Sequence, residues 1–409
     1  MPELRILLLQ IVIICALARA LGWVFWKLGQ PRVVGEILAG ILLGPSLLGW
    51  FAPSAFAALF PAAGLGPLYF LSQIGLLLFM FQVGLAIDLP QLRKLGGAVV
   101  LTSNVSILFP LVAGAGLAIY LHPRLSSANV PLAIFALFMG TAMSITAFPV
   151  LARILTERKL LQTKVGMVAI SSAAVDDITA WCLLALLIAK VRAGAGTSLW
   201  FTLAGLGAYL MVMTWVVRPC LARYSLWRRA GWREALAFSL VFMLLSAWTT
   251  ERIGVHALFG AFFAGVILPR TGNLSLSVTG NLAKITTGLL LPLFFAFTGL
   301  RTSVRLLSGS RLWLYCAVIL GVAVVGKLLG CALAARVGGM SWRDALSLGV
   351  LMNTRGLIEL VILNVGLDLG VISPTLFSMM VMMALVTTFM TTPLLSLFDR
   401  GAASRRKQA

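Results

Sequence analysis

The chain has 409 residues, 60% of them hydrophobic and only 11% charged, with a mean hydropathy of +1.03. A soluble domain carries roughly a quarter of its residues as charges, so this composition excludes one. The net charge of +20 would point to nucleic acid in a soluble protein, but here it fits Lys- and Arg-rich loops on one side of a membrane. The first apolar run, 5–28, is long enough to span and lacks a small-residue cleavage pattern, so it reads as a retained helix, not a signal peptide. Further runs follow at 33–51, 68–88, 96–121, 129–155, 163–190, 199–218, 235–250, 254–270, 284–300, 312–336, 344–365 and 373–397. Measured against the about 17–25 residues of a bilayer crossing, they predict thirteen helices. The five cysteines, Cys15, Cys182, Cys220, Cys316 and Cys331, show no CxxC or metal-ligand spacing and read as small buried hydrophobes.

Most of the 32 Lys and Arg fall in the loops after runs 1, 3, 5, 7, 9 and 11 and in the C-terminal tail. That asymmetry places the N-terminus outside and the C-terminus in the cytoplasm. An odd helix count allows two six-helix units of opposite orientation, about 5–190 and about 235–397, around a linker helix at about 199–218, with 401–409 as a short basic tail. Traces of the repeat survive. Gly35–Gly40 (GEILAG) answers to Gly260–Gly265 (GAFFAG), and LLLFMFQVGL (76–85) answers to LPLFFAFTGL (291–300), with Gly84 matching Gly299. At a similar offset Thr141 falls opposite Thr354.

Of twelve acidic residues, only Asp176, Asp177 and Glu359 lie deep in apolar runs, and Lys327 is the one lysine that does. A charge near a helix centre costs at least about 2.5–3.5 kcal/mol, and pairing offsets part of it. Adjacent helical residues point about 100° apart, so the two aspartates divide the work. Asp176 is expected to turn toward Lys327 as its ion-pair partner and Asp177 to face the ion cavity. Burial disfavours the ionised carboxylate and a nearby cation favours it, so Asp177 can hold a proton or a metal cation but not both. Competition for one site is itself an antiport mechanism. Runs 5 and 12, FMGTAMSITAFPVLARIL and GVLMNTRGLIELVIL, are interrupted by Thr141, Ser144, Thr146 and Pro149 and by Asn353, Thr354 and Arg355. They read as discontinuous helices whose freed carbonyls coordinate a cation, with Arg355 and Glu359, four apart, paired to compensate the half-helix dipoles. His256 reads as a packing residue, Ser171, Ser172 and Thr179 as helix-packing hydroxyls, and Arg19 stays unassigned.

The segments GEILAGILLGPSLLG, SITAFPVLARIL, SSAAVDDITAWCLLAL, GVHALFGAFFAGVILP, LLPLFFAFTGLRTSV and NTRGLIELVILNVG resemble the monovalent cation:proton antiporter superfamily, in the branch of Kef-type proteins, Na+/H+ antiporters and plant cation/H+ exchangers. The resemblance implies an all-α polytopic membrane protein with two inverted repeats and crossed broken helices. It also implies a core domain moving in an elevator-like manner and a homodimer formed through a scaffold domain. It carries Asp177 over as the cation- and proton-binding carboxylate and Asp176 with Lys327 as the ion pair of sodium-type members. Plant exchangers often have Asn, and Kef-type members Gln, where this chain has Asp176, which favours Na+ over K+ or Li+. No segment supplies the nucleotide-binding regulatory domain of Kef-type relatives, and no cofactor is implied.

The expectation is therefore a secondary transporter exchanging Na+, K+ or Li+ for H+, in a membrane rich in lipid contacts and, from its compactness, a bacterial plasma membrane. A K+/H+ exchanger of Kef type is the alternative. A cation channel would need no stoichiometric protons, and a sodium-coupled symporter would need a solute. An enzyme is disfavoured, because the two His, His122 and His256, lie far apart with neither HExxH nor GxSxG in the chain.

Overall fold

A computed structural model describes residues 2–61, 64–86, 97–127, 130–193, 199–223, 232–269, 280 and 282–406. Helices of ten residues or more are numbered in chain order: α1 (Pro2–Lys27), α2 (Arg32–Leu43), α3 (Leu65–Ala86), α4 (Gly97–Leu125), α5 (Leu132–Ser144), α6 (Phe148–Glu157), α7 (Lys164–Ala193), α8 (Leu199–Met211), α9 (Trp232–Ile253), α10 (Ala257–Ile267), α11 (Leu291–Leu300), α12 (Ser310–Val337), α13 (Trp342–Met352), α14 (Leu357–Asp368) and α15 (Pro374–Arg406). No strand occurs among the described residues beyond one isolated bridge, Ser126 to Ile372. The reason is the bilayer, in which each backbone polar group must be satisfied within its own segment.

The fold is all-helical and membrane-embedded, as expected. Among the described residues ten helices are long and apolar enough to cross, or eleven if α13 and α14, bent by 41° to one another, form one span. Run 129–155 divides into α5 and α6, the discontinuous helix expected there, and run 254–270 gives the 11-residue α10. Continuous apolar sequence is not continuous helix.

The chemistry of each interruption is local. Between α5 and α6, Ile145 and Ala147 are extended, and a proline occupies the first turn of α6. Pro149 has no N–H to continue a helix and fits a first turn, where none is needed. Between α13 and α14 the chain leaves the helix at Asn353 and re-enters after Gly356. A Cβ at 356 would lie 2.9 Å from Val150 Cγ2 and 3.3 Å from Ala147 Cβ, so glycine is what lets this break pass close to the other. When the helix ends Ser144 and Met352 are superposed in register, Thr146 falls opposite Thr354. Thr141, expected to match Thr354, sits inside α5, while Thr354 lies in the break after α13.

The chain falls into two compact units. The first comprises Met1–Ile11, Ala62–Leu89 and Leu184–Phe297, and the second Val12–Pro61, Pro90–Leu183 and Thr298–Ala409. Within the first, Gly84 of α3 packs on α10. A Cβ there would collide with Phe262 O and lie 3.0 Å from Val266 N and 3.1 Å from Gly265 Cα. Within the second, Gly299 of α11 packs on α2, where a Cβ would lie 2.6 Å from Ile37 O, 2.6 Å from Ile41 N and 2.7 Å from Gly40 C. In the repeat register Ile37, Gly40 and Ile41 answer to Phe262, Gly265 and Val266. The same contact is thus made twice, by matching residues. Close approach through small residues is how helices associate where water supplies no driving force.

Candidate functional site

The site forms wholly within the second unit, where α7 brings its aspartates against the two breaks. Both carboxylates are buried. Asp176 is surrounded by donors: Ser106 Oγ of α4 at 2.8 and 2.7 Å from its two oxygens, Thr146 Oγ1 at 2.9 Å, and Lys327 Nζ of α12 at 2.9 Å. The Asp176–Lys327 pair is fully buried on both sides. Such a pair survives only when the remaining lone pairs and protons are also satisfied. That condition is met, because the other two Lys327 protons go to Ser106 O at 2.8 Å and to Ser144 O.

Asp177 stands in contrast. Neither of its oxygens has a hydrogen-bond partner. The Phe148 N–H at the start of α6 interacts with the carboxylate without closing to hydrogen-bond geometry. Thr141 Oγ1, Ser172 Oγ, Asn353 Oδ1 and Glu359 Oε2 are likewise buried without partners. These are hard oxygens, the donor type that a small alkali or alkaline-earth cation takes.

The two breaks are joined to each other. Ala147 N donates to Thr354 O at 2.9 Å, and Thr146 Oγ1 lies 2.9 Å from Met352 O as well as from Asp176. Having one proton, that hydroxyl serves one of these acceptors at a time. The exposed C-terminal end of α5 is covered by cations: Arg355 donates to Ala142 O at 3.0 Å and to Met143 O at 2.7 Å, and Lys327 covers Ser144 O. Positive charge at a helix C-terminus and carboxylate near an N-terminus are the favourable senses of the dipole. Glu359, in the first turn of α14, follows the second sense and accepts from Arg355 at 3.3 Å. Arg355 is further held through its backbone by Thr388 Oγ1 of α15, at 3.1 Å from its N and 2.5 Å from its O.

Asp176, Lys327, Thr146 and Ser144 are thus linked through direct hydrogen bonds, Arg355 and Glu359 form a second pair on the same end of α5, and Asp177 adjoins Asp176 with no hydrogen bond of its own. Thr354 joins through its carbonyl, and Ser144 Oγ turns back to Thr141 O at 2.9 Å. His256 lies elsewhere, capping α10 in the first unit through Leu258 N at 3.4 Å. Thr179 bonds back to Val175 O at 2.9 Å in its own helix. Sequence reading missed Ser106 and Thr388. Ser106 carried a faint signal, since it stands four residues before Pro110 inside an apolar run.

The model of the transmembrane sodium/hydrogen exchanger family matches residues 12–397. The chain is 45% identical to the Na+/H+ antiporter NhaS4 of Synechocystis sp., over 96% of each chain. It is 40% identical to cation/H+ antiporter 17 of Arabidopsis thaliana over 96% of its own length, and spans about half (48%) of that longer relative. The structure of the sodium proton antiporter MjNhaP1 from Methanocaldococcus jannaschii at pH 8 superposes with a TM-score of 0.59 over 96% of both chains at 15% identity, a likeness of fold alone.

Proposed function

The chain belongs to the sodium/hydrogen exchanger family of cation:proton antiporters, and from that premise we propose that it exchanges Na+ for H+ by alternating access at Asp177. One observation carries the assignment of the site. In a buried network where Asp176 is met by Ser106, Thr146 and Lys327, the next residue is a buried carboxylate with no hydrogen-bond partner. A carboxylate left this way is stabilised by a proton or by a metal cation, and binding one expels the other. Asn353 Oδ1 and Thr141 Oγ1 are the further oxygens we assign to the cation, while Asp176 and Lys327 hold the site's geometry. Arg355 and Glu359 neutralise the half-helix ends. Na+ is placed before K+ and Li+ because the Synechocystis relative, matched over 96% of its length, is named a Na+/H+ antiporter.

The same reading includes two inverted repeats, about 5–190 and about 235–397, joined by a linker helix at about 199–218. The paired contacts of Gly84 and Gly299 support it. A homodimer, elevator-like movement of the core domain, lipid contact, an outside N-terminus with a cytoplasmic basic tail, and a bacterial plasma membrane complete the proposal. Purified protein in liposomes, followed with a pH-sensitive dye, tests the function. Addition of Na+ is expected to drive protons the opposite way in wild type and not in Asp177→Asn. Sodium flux with no proton counterflow would overturn it in favour of a channel or symporter.

A further inference from the structure

We infer that Ser106 and Pro110 of α4 are positioning residues for exchange, a preformed cradle that holds both members of the Asp176–Lys327 pair. The inference rests on the exchange proposed above. Ser106 touches both charges, its hydroxyl donating to Asp176 at 2.8 and 2.7 Å and its carbonyl accepting from Lys327 at 2.8 Å. In an unbroken helix that carbonyl would be taken by the N–H of residue 110. Residue 110 is a proline inside the helix and has no N–H, so the Ser106 carbonyl is left for another donor. Lys327 fills the gap.

The approach of α12 to α4 is arranged at the same level. Gly326 and Gly330 flank Lys327, four residues apart. A Cβ at 326 would lie 3.6 Å from Pro110 Cα and 3.9 Å from Ala113 Cβ, and one at 330 would lie 3.3 Å from the Phe109 side chain. Small residues at this spacing bring helix backbones together in a membrane. A proline that frees a carbonyl and a serine that owns it thus converge on one ion pair, with two small residues of α12 in contact with α4 beside it. The charged and titratable groups acting on the pair from its surroundings are Asp177 on α7, Cys331 on α12 and Glu359 on α14. A change at Ser106 therefore reaches the binding carboxylate through Asp176.

The test is the pH dependence of Na+-driven proton exchange in liposomes for wild type, Ser106→Ala, Ser106→Thr and Pro110→Ala, with the folded fraction of each followed by size-exclusion chromatography. Ser106→Ala is expected to displace the pH of half-maximal exchange by about one unit, the scale of one hydrogen bond to a charged group. Ser106→Thr should restore the wild-type profile. Pro110→Ala should displace it too, because the restored N–H competes with Lys327 for the Ser106 carbonyl. In an Asp176→Asn background Ser106→Ala should add no further displacement. Should Ser106→Ala not yield folded protein, Ser106→Cys keeps the size with a weak donor and is read in the same way. A Ser106→Ala profile that superposes on wild type, or an equal displacement in the Asp176→Asn background, overturns the inference. Absence of Na+-driven proton movement in the wild type overturns the proposed exchange instead.

Discussion

Asp176 and Asp177 are neighbours in sequence and opposites in environment. Asp176 accepts from Ser106, Thr146 and Lys327, whereas Asp177 accepts from nothing. Removing one partner of a buried ion pair strands the other, at a cost of about 3–5 kcal/mol. Asp176→Asn and Lys327→Met are therefore expected to lower the melting temperature of the detergent-solubilised protein, measured by intrinsic fluorescence. Asp177→Asn removes an unsatisfied buried charge and should melt at or above the wild type while abolishing exchange. Equal melting temperatures for all four proteins would remove the structural role given to the pair. The pairing was legible in sequence because so few charges lie deep in apolar runs that their combinations are limited. Ser106 was not, since a serine in an apolar helix ordinarily bonds back to its own backbone, as Thr179 does here. Its hydroxyl's partner, Asp176, is settled only by where α7 lies.

At the scale of elements the breaks in α5–α6 and α13–α14 could be read from Phe148–Pro149 and from the polar run Asn353–Arg355, both of which interrupt helix for local reasons. Their register could not. Identity of two threonines suggested Thr141 against Thr354, whereas counting from the helix ends, Ser144 and Met352, sets Thr146 against Thr354. Hydropathy measures a run of sequence, not a helix: run 129–155 is shared by α5 and α6, and α10 uses only part of 254–270. Arg355 covers two carbonyls of α5 with two different nitrogens. A lysine cannot reproduce that planar fork. Arg355→Lys is accordingly expected to slow exchange by about tenfold or more, the scale of one lost charged hydrogen bond, although the charge is kept. A wild-type rate in that variant would show that charge alone compensates the helix end.

For the molecule as a whole, the most telling feature is the repetition of one contact: α3 on α10 through Gly84, and α11 on α2 through Gly299. In each case the atoms met are backbone, which cannot swing aside. Gly84→Ala and Gly299→Ala are predicted to destabilise by similar amounts, about 1–3 kcal/mol each, the usual cost of overpacking, seen as matching drops in melting temperature. A large effect at one site with none at the other would speak against equivalent repeats. The sequence carried this symmetry as paired glycines, but it held no indication that they would touch across the repeats' own elements.

The central claim is that one carboxylate, Asp177, serves both ions in turn. The direct measurement is the apparent KM for Na+ in proteoliposomes as a function of pH. With one proton and one cation competing for one site, the KM is predicted to rise about tenfold for each unit of acidification below the range where Asp177 is ionised, with the maximal rate restored by added Na+. A KM independent of pH, with acid lowering only the maximal rate, would place the proton elsewhere and contradict the account.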